Sequence, residues 1–313
     1  MNAFFVALNA VFPFLIYLGL GYSIRLAGYA DEAFFRRLNR IIFVFFFSVL
    51  TFTNIYNIDR DVRLNPRVAL FGAGGVILSI VVLMIVIPRI VPGNARRGAV
   101  IQACYRSNYV LYAMPIAASV CGEAGTDTAA MLVAIIVPLF NLTAVFVLAW
   151  FSGEKPSPRR MIADIATNPL IDGALVGFLF RTFGILLPEA ILGPLNSISA
   201  MSTPIALIVL GGTLRFSSVR KNLRWIILTC MIKLVLLPAA AIAILLPAGF
   251  PPVERFVLFL IFAAPVATAS FTMAQNMGSD GELAGELVAI TTAASLFTLF
   301  AWIFLFGNLG LLA

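Results

Sequence analysis

Long apolar runs separated by short polar clusters fill the chain from end to end. A helix that crosses a bilayer needs about 20 mostly apolar residues. Ten stretches come close to that length: residues 3–27, 38–58, 67–88, 97–120, 128–151, 168–187, 198–214, 222–247, 255–277 and 283–306. The pattern predicts an all-α membrane protein with ten transmembrane helices. The first stretch lacks the basic start and small-residue cleavage site of a signal peptide, so it reads as a retained span. The seventh is short and holds Pro204, Gly211 and Gly212, which predicts the least regular helix of the ten. A linker over 152–167, rich in Pro, Lys and Arg, separates residues 1–151 from 168–313.

Composition sharpens this picture. Hydrophobic residues make up 61% of the 313, only 35 residues are charged, and histidine is absent. That excludes an ordinary soluble domain, which is about a quarter charged. It also excludes a Ser-His-Asp triad and His-ligated zinc or haem. Cys104, Cys121 and Cys230 form no CxxC pair and read as small buried hydrophobes. No metal site or cofactor is predicted. The net charge of +7 is scattered between apolar runs rather than gathered in a patch, so nucleic acid is not an expected partner.

The basic residues instead set an orientation. With the N-terminus outside, fourteen Lys and Arg fall on the cytoplasmic side and five on the outer side. Both termini are then outside, and the linker is cytoplasmic. The expected location is the cell inner membrane, with the lipid bilayer as a partner.

The halves also match each other at a shift of 156 residues. Gly21, Gly28, Gly93, Gly122 and Gly125 meet Gly177, Gly184, Gly249, Gly278 and Gly281. Self-similarity at a fixed period is a repeat signature. Five spans per half force the second repeat to enter from the opposite side, an inverted topology common among secondary transporters.

Such transporters bind substrate near the midplane, where helices are broken. Proline within a span withholds a backbone donor. The fourth and ninth spans combine proline with polar residues at corresponding places. The fourth runs from Arg106 through Ser107 and Asn108 to Pro115. The ninth holds Pro265, Thr268, Ser270, Gln275 and Asn276. Ionisable residues deep in spans are costly and mark candidate sites. Arg106 and Lys233 lie about nine and eleven residues in, or ~13 and ~16 Å at helical rise. No Asp or Glu lies at the centre of a span, and Asp172 is about four residues from its end. A deep cation without a carboxylate suits an anionic ligand, which the Arg106 fork can hold. Lys233 reads equally as a ligand group or as a stabiliser of carbonyls freed at the breaks. Asp172 is the candidate for proton coupling.

The ordered set of motifs resembles the auxin efflux carrier family. Asn108 followed by Pro115 resembles its fourth-span motif. Asn168-Pro169-Leu170-Ile171 resembles the Asn-Pro motif that opens its second half. Lys233-Leu234-Val235 before Pro238 resembles its eighth span, and Ala264-Pro265-Val266-Ala267 its ninth. The family often has glycine two residues before the fourth-span proline, where this chain has Ala113. Leu170 and Asp172 after Asn168-Pro169, and the absence of a long cytoplasmic loop, favour a prokaryotic organic-acid permease over a plant auxin exporter.

The resemblance implies the fold of bile-acid sodium symporters and sodium/proton antiporters, with broken helices four and nine crossing at the site. Spans 1, 2, 6 and 7 are then scaffold and the candidate homodimer face. Spans 3–5 and 8–10 are the moving unit. The expected function is secondary transport of small organic anions, such as malonate, malate or auxin-like acids, by alternating access. A sodium- or proton-coupled symporter of the bile-acid type is the alternative. Asn108 is expected to hydrogen-bond substrate, Arg106 to supply charge, and Pro115 and Pro265 to shape the crossing. Asn168, Asn141, Thr268, Ser270, Gln275 and Asn276 are secondary candidates, and Asn141 reads first as a helix–helix hydrogen bond. No nucleophile or acid–base set points to an enzyme, and no output domain points to a receptor. An anion leaving an inside-negative cell gains about 2.3 kcal/mol per charge per 100 mV, so efflux needs no dedicated ion site.

Overall fold

A computed structural model describes residues 3–58, 65–152 and 166–311, with backbone only for 3–11 and 216–217. The linker beyond Ser152 and most of the 59–67 loop lie outside the described residues. Among those described, the chain is all helical, apart from one isolated antiparallel bridge between Ser107 and Val266. In order the helices are α1 (Ala3–Leu26), α2 (Glu32–Tyr56), α3 (Pro66–Ile90), α4 (Asn94–Tyr105), α5 (Tyr109–Trp150), α6 (Pro169–Thr182) and α7 (Glu189–Thr213). They continue with α8 (216–245), α9 (Pro252–Ala263), α10 (Ala269–Asn276) and α11 (Gly281–Asn308). Six of them are long and apolar enough to cross a bilayer: α2, α3, α5, α7, α8 and α11. The fold is that of a membrane protein.

Local chemistry explains the boundaries. Asn65-Pro66 and Asn168-Pro169 start α3 and α6 in the same way. Each asparagine Oδ1 accepts the backbone N–H two residues on (Arg67 at 3.1 Å, Leu170 at 3.0 Å), while proline fills the first helical position, which needs no donor. α6 stops at Thr182, earlier than the apolar run suggests. Gly184 takes φ +67°, and Gly184 and Ile185 donate back to the Arg181 and Phe180 carbonyls, a glycine-terminated helix end. α7 corrects an expectation in the other direction. It begins at Glu189 and is a continuous 25-residue helix despite Pro194 and Pro204. Within α5, Gly122 (φ 64°, ψ −145°) leaves helical geometry, so the run contains two helical legs joined at a kink.

Glycine makes the tightest helix contacts. A Cβ on Gly21 of α1 would lie 1.8 Å from the Ile208 carbonyl oxygen of α7, and one on Gly177 of α6 would lie 2.7 Å from the Phe52 carbonyl oxygen of α2. Gly21 and Gly177 are 156 residues apart, and so are Phe52 and Ile208. The pairs Gly28 and Gly184, Gly93 and Gly249, and Gly122 and Gly278 all have positive φ. Small residues let helix backbones approach where lipid offers no hydrophobic drive between helices.

Gly21→Ala should therefore force α1 away from α7 and cost about 1–3 kcal/mol, read as a lower thermal midpoint in detergent. Gly19→Ala, whose Cβ would meet nothing within 4 Å, should leave that midpoint unchanged.

Candidate functional site

Two helices stop in the middle of the molecule and pass each other as extended chain. α4 ends at Tyr105 and α9 at Ala263; Arg106 (ψ 114°) and Ala264 (ψ 146°) then leave helical geometry. In the second break the cause is Pro265, because the residue before proline is pushed out of the α region. The extended segments bond to each other. Asn108 N donates to the Pro265 carbonyl at 2.8 Å, and Ala267 N to the Arg106 carbonyl at 3.2 Å. Val266 N donates to Thr291 Oγ1 of α11 at 3.3 Å. The Asn108 side chain donates across the same crossing to Thr268 Oγ1 at 3.2 Å. Chain resumes as α5 and α10 on the far sides, so their N-termini face the crossing.

Pro265 thus sits in the crossing. Pro115 does not. It stands seven residues beyond Asn108, just past a π-turn at Tyr109–Ala113, and lines the cavity described below. There it withholds the N–H that a regular α-turn would offer to the Leu111 carbonyl.

The two deep cations have different surroundings. Lys233 is fully buried and does not line the cavity. Its Nζ donates to Ser107 Oγ, which donates in turn to the Ile261 carbonyl in the last turn of α9. The C-terminal ends of α4 and α9 meet here with their partial negative charges, which a cation offsets. This placement supports the carbonyl-stabilising reading of Lys233. Lys233 rides on a π-turn at Ile232–Leu236, followed by Pro238. The Leu234 carbonyl, four residues before that proline, accepts from Trp302 Nε1 of α11 at 2.9 Å.

Arg106 reaches the other way. Its Nη2 donates to Asn141 Oδ1 at 2.5 Å, and its Nη1 points at Met273 Sδ at 2.7 Å. Among the described residues, neither Arg106 nor Lys233 is within salt-bridge distance of a carboxylate. The guanidinium is 4% exposed and lines a cavity of about 690 Å³.

That cavity lies beside the crossing, between α1, α2 and α7 on one side and α5 with the start of α10 on the other. Its lining residues on α2 run from Phe47 to Asn54, in the half nearer Tyr56. Arg106, Asn108, Pro115, Asn141 and Thr268 all lie on its wall. Sequence reasoning missed its opposite wall, where Tyr17, Thr51, Asn54, Ser199 and Thr203 bring polar groups. Their signal in the sequence is the polar residues crowded into 51–57 and 196–203.

The remaining candidates lie elsewhere. Asn168 caps α6 and extends Nδ2 toward Met277 Sδ at 3.5 Å. Gln275 accepts from Asn39 Nδ2 of α2, and Asn39 Oδ1 accepts from Thr272 at 2.9 Å. These two bonds pin α10 to α2 on the face opposite the cavity. Asn276 donates to the Thr272 carbonyl at 2.7 Å, and Ser270 is buried without lining the cavity. Asp172 is exposed on α6 beside a shallow apolar groove between α2, α6 and α7.

Comparison with known proteins adds to this geometry. A family model described as a membrane transport protein matches residues 6–303. An uncharacterized transporter from Methanocaldococcus jannaschii is 22% identical over 310 residues, covering 95% of this chain and 98% of the relative. An uncharacterized transporter from Methanothermobacter thermautotrophicus is 25% identical over 299 residues, covering 94% of this chain and 96% of the relative.

Trp302→Phe should leave the Leu234 carbonyl without its donor and cost about 1–3 kcal/mol, measured by thermal unfolding in detergent. In a Pro238→Ala background, where a backbone N–H is restored at that turn, the same substitution should cost less.

Proposed function

The chain belongs to this membrane transport family, the auxin efflux carrier family that its motifs resemble, and we propose that it is a secondary transporter of small organic anions working by alternating access. The family is described as a membrane transport protein, and its named relatives are transporters. The observation that carries the anion reading is Arg106, a buried guanidinium on the wall of the cavity with no carboxylate partner among the described residues. A buried cation is costly without an anion nearby, and a ligand carboxylate supplies one. Asn108 and Thr268, at the N-termini of α5 and α10, add donors where helix dipoles favour negative charge.

The rest of the wall is mostly apolar, with Phe14, Phe47 and Phe140 among its residues. That favours the larger, partly apolar acids over malonate. The topology that goes with this reading is ten spans in two inverted repeats, with both termini outside the cytoplasm and the chain in the inner membrane. Its support is the positive φ shared by glycines 156 residues apart, and the reciprocal packing of Gly21 on Ile208 and Gly177 on Phe52. The helices holding Asn54, Ser199 and Thr203 are then scaffold. Those holding Arg106, Asn108 and Thr268 move, so the substrate is held between the two.

The test is flux of a panel of carboxylates, from malonate to indole-type acids, into liposomes containing the purified protein. At least one acid should show saturable flux. Arg106→Gln and Asn108→Ala should each weaken its apparent affinity about ten- to a hundredfold, the loss of a hydrogen bond to a charged group. Wild-type-like flux in Asn108→Ala would remove Asn108 from the site. Transport of neutral or cationic solutes alone would overturn the anion reading.

A further inference from the structure

We propose that Asn196 of α7 and Ser119 in the first leg of α5 form the contact that closes the central cavity on its Tyr56 side, as Asn39, Thr272 and Gln275 close the Glu32 side here. The proposal rests on the inverted-repeat, alternating-access reading above. The shut side is held by two hydrogen bonds. Asn39 Nδ2 of α2 donates to Gln275 of α10, and Thr272 Oγ1 donates to Asn39 Oδ1 at 2.9 Å. Asn39 is buried, so both bonds are made away from water. Beside them, a Cβ on Gly285 of α11 would lie 2.7 Å from Leu210 Cδ1 of α7 and 3.1 Å from the Phe271 ring of α10. Tight apolar packing thus surrounds one polar lock.

Each of these residues has a counterpart in the other repeat. α2 and α7 both open on a glutamate, Glu32 and Glu189, 157 residues apart. Phe52 and Ile208, which receive Gly177 and Gly21 in the same way, are 156 apart. The difference is the π-turn at Ile42–Phe46, which adds one residue to α2, whereas α7 is α-helical throughout. Asn39 lies before that turn, so its counterpart is Asn196. Asn54 lies beyond it and is the counterpart of Leu210. For α10 and the first leg of α5 the marker is a glycine of positive φ, Gly278 and Gly122. Gln275 and Ser119 each stand three residues before their glycine, Thr272 and Ile116 six, and Phe271 and Pro115 seven.

Four of these counterparts, Asn54, Pro115, Ile116 and Ser119, line the cavity. Leu210 and Phe271 close around Gly285 on one side of the crossing, while Asn54 and Pro115 stand on facing cavity walls on the other. Asn196 is one turn from the lining residues Ser199 and Ala200, and its Oδ1 accepts from Asn57 Nδ2 at 2.8 Å. That bond is exposed, so water replaces it at little cost. Alternating access rocks one unit against the other around the site. In the second state each repeat takes the arrangement the other has here. Asn196 then reaches Ser119, Asn54 closes towards Pro115, and Asn39 parts from Gln275 and Thr272. Ile116 stands where Thr272 does, so this second lock has one hydrogen bond against two. The resting chain therefore keeps the Glu32 side shut.

The test is thiol bridging by mercuric ion in a chain whose Cys104, Cys121 and Cys230 are replaced. Ser119→Cys with Asn196→Cys should bridge slowly, and about tenfold faster when Asn39→Ala removes both hydrogen bonds of the shut side. Ser119→Cys with Leu195→Cys, about 100° round α7, should lag in both backgrounds. Should a cysteine pair fold poorly, Ser119→Cys alone carries the test. Its reaction with a membrane-impermeant methanethiosulfonate should slow about tenfold in Asn39→Ala, and adding Asn196→Leu should restore it. Bridging that Asn39→Ala does not accelerate, equal bridging through Leu195→Cys, or a Ser119→Cys reaction indifferent to Asn39→Ala would overturn the proposal. None of these measurements needs substrate. Accelerated bridging without carboxylate flux would sink the anion reading alone, and flux without bridging would sink this contact alone.

Discussion

Backbone polar groups in a bilayer have no water to bond, so an interrupted helix must find partners within the protein. Everything at the centre of this molecule depends on how that constraint is met. The breaks after Tyr105 and Ala263 are placed against each other, and the freed groups pair across the crossing as Asn108 N with the Pro265 carbonyl and Ala267 N with the Arg106 carbonyl. Neither break is tolerable alone. Together they bring two helix C-termini to one point and two N-termini to points beyond it.

The electrostatics follow from that arrangement. The C-terminal ends gather partial negative charge, and Lys233 is buried beside them with Ser107 as its link. The N-terminal ends face the cavity beside Arg106, whose partners among the described residues are neutral. One cation is therefore tied to the frame, and the other faces the cavity. The same economy appears at Leu234, where a carbonyl left short by Pro238 is met by Trp302. On the opposite face, Asn39, Gln275 and Thr272 hold α10 against α2.

Part of the site is legible in the order of residues alone. Arg106 and Asn108 stand out because a polar cluster inside an apolar run is costly in a bilayer unless it has work to do there. Thr268 stands out because it follows Pro265 in a second such cluster. Asp172 and Asn168 are harder to place. Depth along one helix says nothing about which way that helix is turned, and Asn168 turns out to cap α6.

By itself the sequence determined the solvent this chain is built for, the places where its helices start and break, and the sign of its deep charge. These depend on runs of neighbouring residues: apolar length, Asn-Pro starts, glycines that need positive φ, and proline within a span. Only the tertiary structure decided which wall of the cavity Asn54, Ser199 and Thr203 complete, and which cation is tied to the frame. Those outcomes depend on helix rotation and on partners more than a hundred residues away, such as Ser107 for Lys233, and no local pattern encodes them.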